Sequence, residues 1–188
     1  MAWAVVVLGY VLGSFPTAYI AGRLVREVDI RQIGDRNMGA QNAFRQLGAG
    51  AGLLVVAVDA AKGALAVTIA RAAGLPQAFV FLAGAAAVVG HNWPVFLGFR
   101  GGRGEATTLG IFYTLLTMPM LIVTGPAMLV LALKRNVELA SAVAFVPLPL
   151  VCWWLGVPGT LIAYNLALLL LVAFTHLLRT RILAVRRA

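Results

Sequence analysis

The chain has 188 residues, of which 62% are hydrophobic and 11% charged, and fifteen Lys and Arg stand against six Asp and Glu for a formal charge of +9. A globular domain in water holds ~45–50% apolar and ~25% charged residues, so a water-soluble domain is excluded and lipid is the solvent to consider. The basic residues fall in short gaps between apolar runs, a pattern that sets membrane topology and argues against a nucleic-acid partner.

Residues 1–21 form the first apolar run. No basic region precedes it and no small-residue cleavage pattern follows it, so it reads as a retained helix rather than a signal peptide. A polar, arginine-rich segment spans Gly22 to Gly48, and further apolar runs cover about 50–71, 77–97, 105–133, 137–156 and 158–178. The whole of 1–188 reads as one membrane domain. Cys152, the single cysteine, lies inside an apolar run, which excludes a disulfide framework and a thiolate zinc site.

The run 105–133 is too long for one upright crossing: its 29 residues would make a helix of ~43 Å against a hydrocarbon core of ~30 Å. Met118-Pro119 and Gly125-Pro126 are breaker signals near its middle. Charge placement points the same way. Thirteen of the fifteen cations cluster at Arg23 to Arg45, Arg100 and Arg103, Lys134 and Arg135, and Arg179 to Arg187. All four clusters share the cytoplasmic side only if the chain reverses within 105–133, hinged near Pro119. The expected fold is an all-α polytopic membrane protein with seven transmembrane helices, N-terminus outside and C-terminus cytoplasmic. Trp3, Trp153 and Trp154 then sit toward the outer interface and Trp93 toward the inner one.

Asp59 and Lys62 fall near the centre of the second long run, where each unpaired charge costs at least ~2.5–3.5 kcal/mol. Their spacing of three places them on one helix face. They can neutralise each other or contact a polar cavity. Three polar clusters remain for chemistry. In Gly34 to Arg45 glycines alternate with Asn37, Asn42 and arginines; in Gly98 to Thr108, Gly101, Gly102 and Gly104 surround Arg103 ahead of a helix; Lys134 to Ser141 opens another helix with two cations and an acid. Glycine N–H groups at a helix N-terminus can form an anion nest that guanidinium groups strengthen. The loop is no Walker A motif, since Lys followed by Ser or Thr is missing. Three such clusters on one membrane face outline a phosphate-attracting site under an apolar bundle, suited to an amphiphile with a phosphorylated head. No Ser, His and Asp set and no nucleophilic cysteine is visible there. Any chemistry must come from positioning an activated substrate and stabilising developing negative charge.

These residues resemble the PlsY family, membrane glycerol-3-phosphate acyltransferases that use acyl phosphate as donor. The loop Gly34 to Arg45 is similar to its Gly-Ser-Gly-Asn-x-Gly-x-Thr-Asn-x-x-Arg; Gly90-His91, Pro94 and Gly101-Gly102-Arg103-Gly104-x-Ala106-Thr107 to its Gly-His-x-x-Pro and Gly-Gly-Lys-Gly-x-Ala-Thr; and Arg135-x-Val137-Glu138-Leu139-x-Ser141 to its Arg-x-Val-Ser-Leu-x-Ser. Asp59, Lys62 and Gly63 match its Asp-x-x-Lys-Gly. The resemblance implies that the glycerol-3-phosphate hydroxyl attacks the acyl phosphate carbonyl, giving 1-acyl-glycerol-3-phosphate and phosphate at the inner cell membrane, with no cofactor or metal. By position, Asn37, Gly39, Asn42 and Arg45 would hold the acceptor. Gly101, Gly102 and Gly104 with Arg103 would hold the donor phosphate, and His91, Thr107, Glu138 and Ser141 would complete the lining.

Six positions depart from that pattern: Asp35 for Ser, Arg36 for Gly, Gln41 for Thr, Arg103 for Lys, Glu105 at a position usually apolar, and Glu138 for Ser. Unpaired carboxylates beside an anionic acceptor are costly. The site therefore either forms extra ion pairs through Arg36 and Arg103 or takes a less anionic acceptor. Asp35, if near the acceptor hydroxyl, is a candidate general base. A non-catalytic relative that binds or moves anionic amphiphiles would use the same basic face.

Overall fold

The computed structural model describes residues 1–185, and all regular structure among them is helical. Ten α-helices follow in order: α1 Ala2–Gly13, α2 Thr17–Arg26, α3 Ala40–Leu47, α4 Ala49–Ala72, α5 Gln77–Asn92, α6 Glu105–Leu115, α7 Thr117–Lys134, α8 Val137–Phe145, α9 Leu148–Trp154 and α10 Gly159–Val185. Single 3-10 turns lie at Ile30–Gln32 and Val95–Leu97. Among the described residues, six segments are long and apolar enough to cross a membrane, including α1 with α2 and α8 with α9 read as units. Arg186 and Arg187 of the basic tail lie outside the described residues.

Small residues set the closest helix crossings. A Cβ at Gly13 would run into the Ala87 carbonyl and one at Gly90 into the Tyr10 carbonyl, so α1 and α5 touch backbone to backbone. Gly63 and Gly110 allow the same contact between α4 and α6, against the carbonyls of Thr107 and Ala60. Without a hydrophobic drive between helices in lipid, such close approach is what holds a bundle together. Large apolar side chains point outward accordingly, with Leu54, Leu129, Leu150 and Leu170 all more than half exposed.

The expected break within 105–133 occurs at Leu116, three residues before Pro119. Proline is tolerated in the first turn of a helix, where its missing N–H has no partner to lose. Pro119 therefore opens α7 rather than forming the hinge, and Pro126 sits inside α7 without ending it. Leu116 leaves helical geometry at φ −131° and ψ 46°. Tyr113 and Thr124 then meet through their hydroxyls, although eleven residues of straight helix would hold them ~16 Å apart. The chain has folded back, and the start of α8 returns to the start of α6.

Two other apolar runs are each divided. Residues 1–21 break at Ser14 to Pro16, and 137–156 breaks at Val146-Pro147. The first break has a use. It frees the Phe15 carbonyl, which accepts from Lys62 Nζ at 3.2 Å, while Asp59 takes Lys62 Nζ at 2.8 Å and the Thr17 hydroxyl at 2.9 Å. The buried ion pair is thus completed from α2 and from the loop before it.

Removing one member of a buried pair leaves an uncompensated charge at a cost of about 3–5 kcal/mol. Lys62→Met should lower thermal stability in detergent by that order. Asp59→Leu with Lys62→Met should recover part of the loss, read by tryptophan fluorescence on heating.

Candidate active site

The three polar clusters, far apart in sequence, meet at one end of the bundle. Asn37, Gly39 and Gln41 from the first, Arg103 to Ala106 from the second, and Val137, Glu138 and Ser141 from the third line one cavity of about 80 Å³, floored by Asp59 and His91. A second cavity of about 450 Å³ lies beside it, and Asn37 and Arg103 belong to both walls.

Asn42 shapes the first cluster from within. Its amide donates to the carbonyls of Ile30 at 3.1 Å, Ile33 at 3.1 Å and Asn37 at 3.0 Å, while its Oδ1 accepts the Asp35 N–H at 3.3 Å. Asn42 is fully buried and braces the loop through these bonds. Asp35 turns the same loop by accepting the Asn37 N–H at 2.9 Å. Its side chain lines neither cavity. Arg45 is exposed, one helical turn beyond Gln41 on α3, and also stands outside both cavities.

The glycine loop differs from an open anion nest. The N–H of Gly101 donates to the Asn92 carbonyl at 3.2 Å and that of Gly102 to the His91 carbonyl at 3.0 Å. These two donors are taken. The glycines serve close approach instead: a Cβ on Gly101 would meet the His91 carbonyl, and one on Gly102 the His91 ring. Gly104 holds a positive φ of 87° as α6 begins. What this loop offers the small cavity is the Arg103 guanidinium and the first turn of α6, whose dipole favours negative charge.

Arg103 already has a partner, since its Nη1 is bonded to the Glu138 carboxylate. Nearby, Gln41 Oε1 accepts the Val137 N–H at 2.9 Å, and Asn136 caps α8 by accepting from the Leu139 N–H at 3.0 Å. The opening of α8 is therefore fastened to both other clusters by residues that depart from the family pattern. Glu105 faces Ser141, which hydrogen-bonds its carboxylate, and lies 3.9 Å from His176 Nδ1. His91 is buried, with Nδ1 unpartnered and 3.7 Å from Asp59 Oδ1. Thr107 is buried behind the wall with its hydroxyl unpartnered. Among the described residues, no three His, Cys, Asp or Glu side chains are grouped to hold a metal ion.

The larger cavity was not legible in sequence. Its wall brings Arg31, Arg36, Arg100 and Arg179 to the same space as Arg103. Arg31 bonds Asp29 at 2.8 Å and holds that carboxyl below the usual carboxylate range. Arg179 donates to the Asn92 carbonyl at 2.6 Å, so a residue read as part of a topological tail belongs to the site. No spacing rule links residues 31, 36, 100 and 179.

With the geometry in place, the similarities to known proteins are informative. The sequence profile described as glycerol-3-phosphate acyltransferase matches residues 3–184. Glycerol-3-phosphate acyltransferase 4 of Dehalococcoides mccartyi (strain ATCC BAA-2266 / KCTC 15142 / 195) is 53% identical over 176 residues, covering 94% of this chain and 95% of that protein. Glycerol-3-phosphate acyltransferase of Synechococcus sp. (strain CC9902) is 42% identical over 169 residues, covering 90% and 84%. The crystal structure of PlsY (YgiH), an integral membrane glycerol 3-phosphate acyltransferase, in its glycerol 3-phosphate form superposes with a TM-score of 0.85 at 32% identity, covering 99% of this chain and 93% of that one. Its lysophosphatidic acid form gives 0.83 at 31%.

Asn42→Ala would strip a donor from three carbonyls, at about 1–3 kcal/mol for each group left unsatisfied. The variant should unfold at lower temperature and be cut by protease between residues 30 and 40 at a concentration the parent resists. An unchanged digestion pattern would show that the amide does not brace this loop.

Proposed function

Because the chain belongs to the glycerol-3-phosphate acyltransferase family, we propose that it moves a fatty acyl group from an acyl phosphate to the hydroxyl of glycerol-3-phosphate. The acceptor oxygen attacks the acyl carbonyl carbon, the bond from that carbon to the phosphate oxygen breaks, and inorganic phosphate leaves with 1-acyl-glycerol-3-phosphate as the lipid product. Phosphate is a good leaving group, so no enzyme nucleophile is required. A phosphate oxygen can take the hydroxyl proton.

The observation that carries this reading is the meeting of three distant basic and polar stretches around Arg103 in one cavity. Asn37, Gly39 and Ser141 are assigned to the acceptor, and Arg103 with the first turn of α6 to charge developing on the phosphate and carbonyl oxygens. Glu138 is assigned as the resident counter-ion of Arg103. An anionic substrate must exchange with it, and the exchange widens a space of about 80 Å³. Glu105 and Glu138 also support a second reading, the same chemistry with a less anionic acceptor.

For topology, the reading is seven membrane helices: α1 with α2, α4, α5, α6, α7, α8 with α9, and α10. The N-terminus is outside, and the C-terminus and site are at the cytoplasmic face of the inner cell membrane. Cation placement and the return of α8 to the base of α6 support it. α6, with 11 residues, is ~16 Å long and penetrates only part of the bilayer.

Purified protein given acyl phosphate and radiolabelled glycerol-3-phosphate should yield labelled lysophosphatidic acid, and Arg103→Ala should cut turnover about 10²–10³-fold. Transfer only to another acceptor selects the second reading, and no transfer to any acceptor selects a non-catalytic binder. Glu138→Ser, which releases Arg103, should lower the KM for glycerol-3-phosphate by about three- to tenfold. A KM that rises would mean that Glu138 serves the acceptor directly.

A further inference from the structure

We propose that Glu105 is the general base of the acyl transfer: its carboxylate takes the proton of the acceptor hydroxyl as that oxygen attacks, and then gives it to the departing phosphate. The inference rests on the acyltransferase reading, and it gives a task to a carboxylate at a position usually apolar in the family pattern. The ester bond forms as the acceptor O–H bond breaks, and the bond from the acyl carbon to the phosphate oxygen breaks with its electron pair going to that oxygen. The proton passes from the hydroxyl to Glu105 and from Glu105 to the phosphate, so hydrogen phosphate departs and the carboxylate is restored. No further reactant is needed.

Four side chains with the chemistry of a base line the small cavity: Asp59, His91, Glu105 and Glu138. Three of them are occupied. Asp59 takes Lys62 Nζ at 2.8 Å and the Thr17 hydroxyl at 2.9 Å, and Glu138 is bonded to Arg103. His91 turns Nδ1 toward Asp59 at 3.7 Å and sets Nε2 against Gly102, where a Cβ has no room. Among the described residues, Glu105 is the one carboxylate of this wall that makes no ion pair with Lys or Arg. Its side chain is 23% exposed against 42% for Glu138, so it is the better shielded from water.

Placement fits the step. Ser141 on α8 hydrogen-bonds the Glu105 carboxylate, and His176 Nδ1 on α10 stands 3.9 Å from it. An acceptor held through Ser141 is therefore one contact from the base, the geometry that general base catalysis requires. Glu105 is the first residue of α6, in the same turn that is assigned to charge developing on the phosphate, with Arg103 two residues before it. Base and leaving group share one end of the cavity, and the proton has a short return path. The charged and titratable groups that face Glu105 are Arg103, Glu138 and His176.

The test follows kcat against pH for the purified full chain in detergent, with saturating acyl phosphate and glycerol-3-phosphate. A base works only as the carboxylate, so the parent's kcat should fall on the acid side as Glu105 takes up a proton. Glu105→Gln keeps the size of the side chain and an acceptor for Ser141 but cannot take the proton. It should lower kcat by about 10²–10⁴-fold and flatten the acid limb. His176→Asn should keep that limb. Formate, a carboxylate small enough for the space left by Glu105→Ala, should restore that variant's kcat at least about tenfold, and chloride at equal ionic strength should not. A Glu105→Gln protein that turns over within about threefold of the parent overturns the proposal, because the proton then passes directly to phosphate. So does an acid limb that persists in Glu105→Gln or vanishes in His176→Asn, or a Glu105→Ala protein that formate leaves unchanged. Any of these in a chain that still makes lysophosphatidic acid sinks this inference alone, whereas a parent that transfers no acyl group to any acceptor sinks the acyltransferase reading and the base with it.

Discussion

Away from water a helix can end only where the protein itself covers the freed backbone groups. At Leu116 it does. The residue is buried, its N–H reaches the Phe112 carbonyl at 2.7 Å, and its own carbonyl accepts from Met120 at 2.9 Å as α7 begins. That reversal lets Arg103, ahead of α6, meet Glu138 at the start of α8. Were 105–133 a single tilted rod, the two charges would lie at opposite ends of it and no cavity would form between them.

Once the ends are together, electrostatics divides the space. The small cavity is lined by Asp59, Glu105 and Glu138 and has Arg103 as its one lining cation, while the larger cavity is dominated by guanidinium groups. Arg103 stands on the dividing wall and contributes to both. The Asp59 and Lys62 pair beneath is neutralised internally, so it holds α2 against α4 without adding net charge to the floor.

The glycines illustrate how one residue type admits two physical readings. In sequence Gly101 and Gly102 look like donors for an anion. Their N–H groups are instead bonded to Asn92 and His91, and their missing Cβ atoms let the loop lie against the His91 ring. Asn42 likewise acts as scaffold, its amide donating to three carbonyls. Both outcomes depend on which carbonyls lie nearby in space, and no local pattern carries that information.

Composition, run length and the placement of cations determined the membrane class, the helical content, the break within 105–133 and the three clusters that build the site, because each follows from the cost of exposing polar or charged groups to lipid. Motif order carried the reaction class. Tertiary structure alone decided the break residue, the partner of Glu138, the exclusion of Asp35 and Arg45 from the cavities, and the gathering of Arg36, Arg100 and Arg179 around a second one. The reason is physical: hydropathy acts along the chain and can be read from it, whereas which guanidinium meets which carboxylate depends on helix crossings fixed by glycine contacts between distant segments.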